Sequence, residues 1–225
     1  MEKNKSRLIK RTLCTPCAQV HLRESGEENS GRTITGYAIL FGVPSEPLWS
    51  DEDSEAREII APEAITKELL DASDIKFTMY HDRSILLGRS NKGSGTLSYF
   101  IDEKGVGFEL ELPKSPNGDE ALELVSRGDI AGCSFAFSTY YWDRDFVELS
   151  VETVDGREFR TYTVRQITGI YDFTLAADPA YSATSVESRE LREALTPPAI
   201  QPTPDDKQMR RQWQEMRCIA SKKIL

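Results

Sequence analysis

Short runs in which apolar residues recur at every second position, separated by turn residues, fill the middle of this chain. That period of two predicts strands rather than helices. Thr33 to Phe41 carries Ile34, Tyr37, Ile39 and Phe41 and ends at Gly42-Val43-Pro44. Arg57 to Ile60 and Ile75 to Tyr80 are further strands, the second leading into His81, and Gly88 closes that unit. Thr96 to Ile101 and Val106 to Leu112 flank Asp102-Glu103-Lys104-Gly105, which predicts a hairpin, as does Asp155-Gly156 between Val147–Val154 and Phe159–Ile167. From Gly132 a buried strand begins, with Phe135 and Phe137 on one side and Ser134 and Ala136 on the other. Tyr171 to Leu175 is the last strand, ended by Pro179.

A helical period is rarer. Pro62 suits a first helical turn and opens a helix through Ala64, Ile65, Leu69 and Leu70. Asp119 is the expected N-cap of a second, with Ala121, Leu122 and Val125 on one side and Gly128 at its end. Glu187 to Leu195 makes a third. About seven strands with these helices give a mainly β or α+β class, as a mostly antiparallel barrel or sandwich.

The ends read differently. Residues 1–30 are a polar arm that begins as a short strand and finishes as a flexible lead-in, residues 31–190 the folded domain, and residues 191–204 a stiff proline-rich linker. In residues 205–225, Met209, Trp213, Met216 and Ile219 line one side of an amphipathic helix, a docking element by pattern.

Composition narrows the function. The chain is 39% hydrophobic, enough to bury a core, and Lys+Arg 28 against Asp+Glu 37 leaves a net charge of −9, which argues against nucleic acid as a partner. No apolar run approaches the ~20 residues of a membrane span, and the basic start lacks the apolar core of a signal peptide, so the expected compartment is the cytoplasm. Cys14 and Cys17 form a lone C-x-x-C with no second pair, and no ligand cluster suggests a metal or cofactor. Trp49, in the acidic loop from Ser45 to Glu55, reads as a packing anchor rather than a substrate contact.

A serine hydroxyl becomes a useful nucleophile when a base removes its proton, and histidine is the usual base. Ser134 sits at the mouth of its strand two residues after Gly132, where close backbone approach is allowed. Of the two histidines, His81 follows an apolar strand and has a fixed position, whereas His21 lies in the charged arm. Each has a plain alternative, a strand-edge serine and a surface histidine. Cys133 is a second possible nucleophile, although as the neighbour of Ser134 it faces the other way. Backbone N–H groups near Gly132, Arg83 and Arg89 are the candidate oxyanion donors.

Three stretches taken together are more specific. Y-H-D-R-S-I-L-L-G-R from Tyr80, R-G-D-I-A-G-C-S-F-A-F from Arg127 and I-Y-D-F-T-L-A-A-D-P-A-Y from Ile170 occur in the order that resembles the prohead maturation serine proteases of tailed bacteriophages, a family distantly similar to the herpesvirus assembly proteases. The resemblance implies a closed antiparallel β-barrel ringed by helices. It puts the nucleophile at Ser134, the base at His81 and the third member at Asp172, where the family more often has glutamate. Asp82 is the alternative by proximity, disfavoured because neighbours in an extended segment diverge. The hairpin around Asp155-Gly156 reads as an insertion away from the site. The resemblance further implies an endopeptidase acting inside the procapsid in the host cytoplasm, without a cofactor. It would cut the scaffolding segment of the major capsid protein and its own chain, and dimerisation is implied by the herpesvirus relatives. A non-enzymatic internal scaffold is the competing class, supported by the linker and the amphipathic carboxyl end.

Overall fold

The computed structural model describes residues 9–14, 20–22 and 31–176. Strands follow one another as β1 (Ile9–Cys14), β2 (Val20–Leu22), β3 (Thr33–Leu40), β4 (Trp49–Ser50), β5 (Ser54–Ile60), β6 (Asp74–Met79), β7 (Asp82–Asn91), β8 (Ser94–Gly95), β9 (Leu97–Ile101), β10 (Gly105–Glu111), β11 (Gly132–Thr139), β12 (Val147–Val154), β13 (Arg157–Val164) and β14 (Gly169–Ala176). Helix α1 (Lys67–Ala72) precedes β6 and α2 (Pro116–Arg127) precedes β11. The fold is mainly β. Both predicted hairpins form, β9–β10 and β12–β13. Asp155 and Gly156 turn the second with φ of 51° and 84°, the left-handed pair that a two-residue hairpin needs.

Among the described residues the ladders make three sheets, ordered β1-β11-β14-β6-β7-β8, β2-β3-β10-β9 and β12-β13-β5-β4, and no closed barrel. Two ladders, β14 with β6 and β13 with β5, are parallel where an antiparallel arrangement is expected. In each case the partners are separated by many intervening elements. Parallel pairing requires such a long return, which the local turn signals of a sequence do not reveal.

The first sheet is built in rows. Cys133, Leu175 and Met79 are aligned across β11, β14 and β6, then Ser134, Thr174 and Thr78, then Phe135, Phe173 and Phe77, then Ala136, Asp172 and Lys76. Alternation therefore gives the sheet one face of phenylalanine and one of hydroxyls. All three phenylalanines are fully buried, each contributing roughly 1.5–3 kcal/mol by leaving water. They face the second sheet, where the Phe77 ring lies 4.8 Å from that of Phe108 on β10. Gly88 lies within β7 rather than closing it, and a Cβ there would stand 2.4 Å from Leu110 of the same second sheet, so close approach and not a turn accounts for the glycine.

The helices depart from expectation at their starts. The segment after Pro62 is a single 3-10 turn, Pro62–Ala64, ended by Ile65 in extended geometry. Thr66 then caps α1 by accepting the Leu69 N–H. A β-branched pair with a capping hydroxyl thus divides the apolar run into two pieces. Helix α2 is capped by Ser115, which accepts the Gly118 N–H, and Pro116 occupies its first turn. Asp119 lies inside that turn and pairs with Arg32 at 2.7 Å. Gly128 ends α2 in the left-handed region as anticipated.

Strands β1 and β2 fall within the segment read as a polar arm. Pro179, the third helix at 187–195, the linker at 191–204 and the helix at 205–225 lie outside the described residues, as does Cys17. Among the described residues no helix is long and apolar enough to cross a membrane.

Candidate active site

Residues from three adjacent elements meet on the hydroxyl face of the first sheet. Ser134 stands on β11, Asp172 on β14, and His81 in the turn joining β6 to β7. The His81 Nε2 is 2.9 Å from the Ser134 Oγ, and its Nδ1 is 2.7 Å from the Asp172 Oδ1. The two ring nitrogens thus face a hydroxyl and a carboxylate at the same time. With the proton on Nδ1, the ring donates to Asp172 and its Nε2 lone pair accepts the Ser134 O–H.

A tight turn delivers the histidine. Met79 pairs with Asp82, so Tyr80 and His81 are the two central residues of a hairpin, with φ of 53° and 57°. Neither is glycine, and left-handed geometry at such residues is costly unless the surroundings enforce it. Strand β14 supplies that enforcement. The Tyr80 N–H donates to the Leu175 carbonyl at 3.0 Å, and the His81 N–H donates to the Thr174 Oγ1 at 2.9 Å.

The carboxylate owes its aim to a bulge. Ala136 pairs with Asp172 but Phe137 pairs with Ile170, so Tyr171 is an extra residue in β14 directly beside Asp172. Bulges of this kind redirect a neighbouring side chain. Lys76, aligned with Asp172 in the parallel ladder, places its ammonium 2.6 Å from Asp74 instead. The Asp172 carboxylate, 7% exposed, is left to the imidazole.

The other candidates stand apart from this group. Asp82 is exposed and accepts the Ser84 N–H at 2.8 Å and the Ser84 hydroxyl at 2.6 Å. Those bonds, the hydroxyl's first, hold its carboxyl below the ordinary aspartate range. The reason it misses His81 is the turn itself, not the extended geometry expected there. Cys133 is buried on the phenylalanine side, its Sγ 3.6 Å from the Ser134 carbonyl. Arg89 is bound at both ends of its guanidinium by Asp74, at 2.6 and 2.8 Å, and Arg83 is exposed. His21 is exposed on β2. Trp49 is buried, donating to the Ser54 Oγ at 3.1 Å. The β12–β13 hairpin belongs to the third sheet, apart from the one that carries His81, Ser134 and Asp172.

Ser134 is fully buried, whereas 29% of the His81 side chain is exposed. A substrate carbonyl must come within about 3–3.5 Å of the hydroxyl to react, so the groups that cover it have to give way. Among the described residues no group of three or more His, Cys, Asp or Glu could hold a metal ion.

Sequence reasoning passed over Thr174 and Thr78. Their signal was present in the repeated Phe-Thr-Leu at 173–175 and Phe-Thr-Met at 77–79, each with a hydroxyl between two large apolar residues. Only alignment of β6 with β14 gives the repeat its meaning.

Comparison with known families gives a match between residues 18–197 and the model described as caudovirus prohead serine protease. No curated protein matches the chain.

Proposed function

The chain belongs to the caudovirus prohead serine protease family and is a serine peptidase of phage capsid maturation, and from that premise we propose that Ser134 is its nucleophile, His81 its general base and Asp172 the carboxylate that orients the base. The observation that carries this reading is the unbroken chain of short contacts from the Ser134 Oγ through both ring nitrogens of His81 to Asp172. Family membership sets aside the non-enzymatic scaffold.

In the proposed reaction the Ser134 Oγ attacks the carbonyl carbon of a peptide bond as the His81 Nε2 takes its proton. Asp172 keeps the Nδ1 proton in place and favours the imidazolium that results. The tetrahedral adduct collapses, the C–N bond breaks, and the proton on Nε2 passes to the departing amine. Water then enters by the same route and gives a proton to Nε2 as its oxygen bonds to the acyl carbon; the bond to the Ser134 Oγ breaks, the Nε2 proton returns to that oxygen, and the carboxylic acid leaves.

The finer assignments belong to the same proposal. The substrate is the scaffolding segment of the major capsid protein inside the procapsid within the host cell, together with the enzyme's own chain. The protease domain takes in residues 31–190 together with β1 and β2, which are strands of its first two sheets, and is followed by a linker at 191–204 and a docking helix at 205–225. A closed barrel and a dimer belong to this proposal too, both implied by the herpesvirus-like architecture that the motif order suggests. The decisive experiment is labelling of the native protein with a small fluorophosphonate followed by mass-spectrometric mapping. Modification at Ser134, lost in His81→Ala, is the expected result. Modification at another residue with Ser134 untouched would overturn the assignment.

A further inference from the structure

Resting on the assignment of His81 as the base, we propose that Thr174 is a positioning residue of the protease, holding the histidine by its backbone while Asp172 holds it by its ring. Strand β14 grips one residue at two points. The Thr174 Oγ1 accepts the His81 N–H at 2.9 Å, and the Asp172 Oδ1 lies 2.7 Å from the ring Nδ1. Residues 172 and 174 are two apart on one strand and so share a face. Covalent geometry fixes the separation between the backbone nitrogen and the ring for a given pair of side-chain torsions. Two anchors on one rigid strand therefore select those torsions together and leave Nε2 directed at the Ser134 Oγ, 2.9 Å away.

The need for the second anchor follows from the turn. Tyr80 and His81 both adopt positive φ without being glycine, a conformation that persists only where it is held. The Tyr80 N–H is tied to the Leu175 carbonyl, an ordinary backbone bond that most residues at 175 would preserve. The His81 N–H has a side-chain acceptor, so its bond depends on the identity of residue 174. Thr174 is fully buried, and its hydroxyl also accepts from the Thr78 Oγ1 at 2.9 Å. Thr78 thereby helps to fix the direction of the oxygen that receives His81. Ser134, Thr174 and Thr78 form one row of the sheet, so nucleophile and anchor are set by the same ladder.

Replacing Thr174 by valine keeps the shape and removes the acceptor. The turn then pivots on Asp172 and Nε2 drifts from Ser134, a displacement that costs roughly 10²-fold in turnover when it approaches 1 Å. The test compares Thr174→Val and Thr174→Ser, at matched folded fraction, in single-turnover and steady-state cleavage of a capsid-derived peptide. Turnover should fall roughly 10²-fold in Thr174→Val with KM little changed, and stay within a few-fold of wild type in Thr174→Ser. The second readout needs no activity. With two histidines in the chain, the His81 Nδ1–H resonance is assignable by NMR with His21→Gln as reference. It should be retained in Ser134→Ala and in Ser134→Ala/Thr174→Ser, and broadened or lost in Ser134→Ala/Thr174→Val. A folded Thr174→Val enzyme with wild-type turnover and an unchanged Nδ1–H signal overturns the proposal. Should Thr174→Val fail to fold, Thr174→Cys, of similar size but a poor acceptor, takes its place, and full turnover there overturns it equally. Undiminished cleavage by Ser134→Ala would instead remove the catalytic reading, and the Nδ1–H signal would still decide whether Thr174 holds His81.

Discussion

Ser134 stands opposite Thr174 in the antiparallel ladder of β11 and β14. Through that pairing the nucleophile's position is referred to the same strand that carries the carboxylate and anchors the histidine. The site therefore depends on one register. A slip of one residue in β14 would turn Asp172 and Thr174 to the phenylalanine side and bring phenylalanine under His81.

If Ser134 and His81 act as one unit, Ser134→Ala and His81→Ala each abolish cleavage, and the double variant is little worse than either alone. Cleavage of a capsid-derived peptide by the purified variants, with circular dichroism to establish folding, measures this. Loss of activity on Cys133→Ala alone, with Ser134→Ala active, would transfer the chemistry to the thiol.

Asp172→Asn keeps the shape while favouring the wrong tautomer and removing the charge that supports the imidazolium. Turnover should fall by up to ~10⁴. Asp172→Glu should retain measurable activity, since a carboxylate remains. Asp82→Asn should leave turnover unchanged and lower stability only slightly, because its exposed carboxylate only caps the turn at Ser84. An inactive Asp82→Asn beside an active Asp172→Asn would contradict the proposed triad.

The Tyr80 backbone, at φ 53°, lies where glycine is at ease and a β-branched residue is not. Tyr80→Gly should be neutral or stabilising by up to about 1 kcal/mol, the relieved strain being offset in part by the entropy of the unfolded chain. Tyr80→Val should cost about 1 kcal/mol. Urea midpoints of the two variants give the comparison, and equal midpoints would show that the turn is not strained.

At the far end of the β6–β7 hairpin, Asp74 meets Arg89 at 2.6 Å and Lys76 at 2.6 Å. Arg89 first and Lys76 second hold its carboxyl well below the ordinary aspartate range. A depressed carboxyl adds stability above its unfolded titration, and that contribution is lost as pH falls toward the folded one. Urea midpoints of wild type and Asp74→Asn should therefore differ at pH 7 and begin to converge only as the pH falls below about 4, the gap closing further with each step into stronger acid. The group is partly open to solvent, so the difference should be modest, at most about 1 kcal/mol. A gap that widened in acid would contradict this account.

Self-cleavage offers a further check on the proposed domain limits. Intact-mass analysis of the wild-type protein over time should show trimming outside residues 31–190, in the proline-rich linker or in the polar arm away from the paired strands β1 and β2, and none in Ser134→Ala. Cuts concentrated within β3 to β14 would contradict those limits.

Alternation along the chain was enough to determine the mainly β class, both tight hairpins and the division of β11 into a phenylalanine side and a serine side. All of these rest on residues close in sequence, where period and turn chemistry act directly. The order of three motifs also sufficed to point to Ser134, His81 and Asp172 and to a family. The tertiary structure decided how these residues come together. The parallel pairing of β14 with β6 joins segments about 95 residues apart, and no local signal records it. The bulge at Tyr171 depends on the partner strand. The positive φ of His81 is uncommon for any residue but glycine, and the turn that contains it is held by Thr174 and Leu175 from a distant strand. For the same reason the two threonines were invisible as functional residues: a hydroxyl in an apolar strand acquires a role only when the ladder places a strained backbone nitrogen against it.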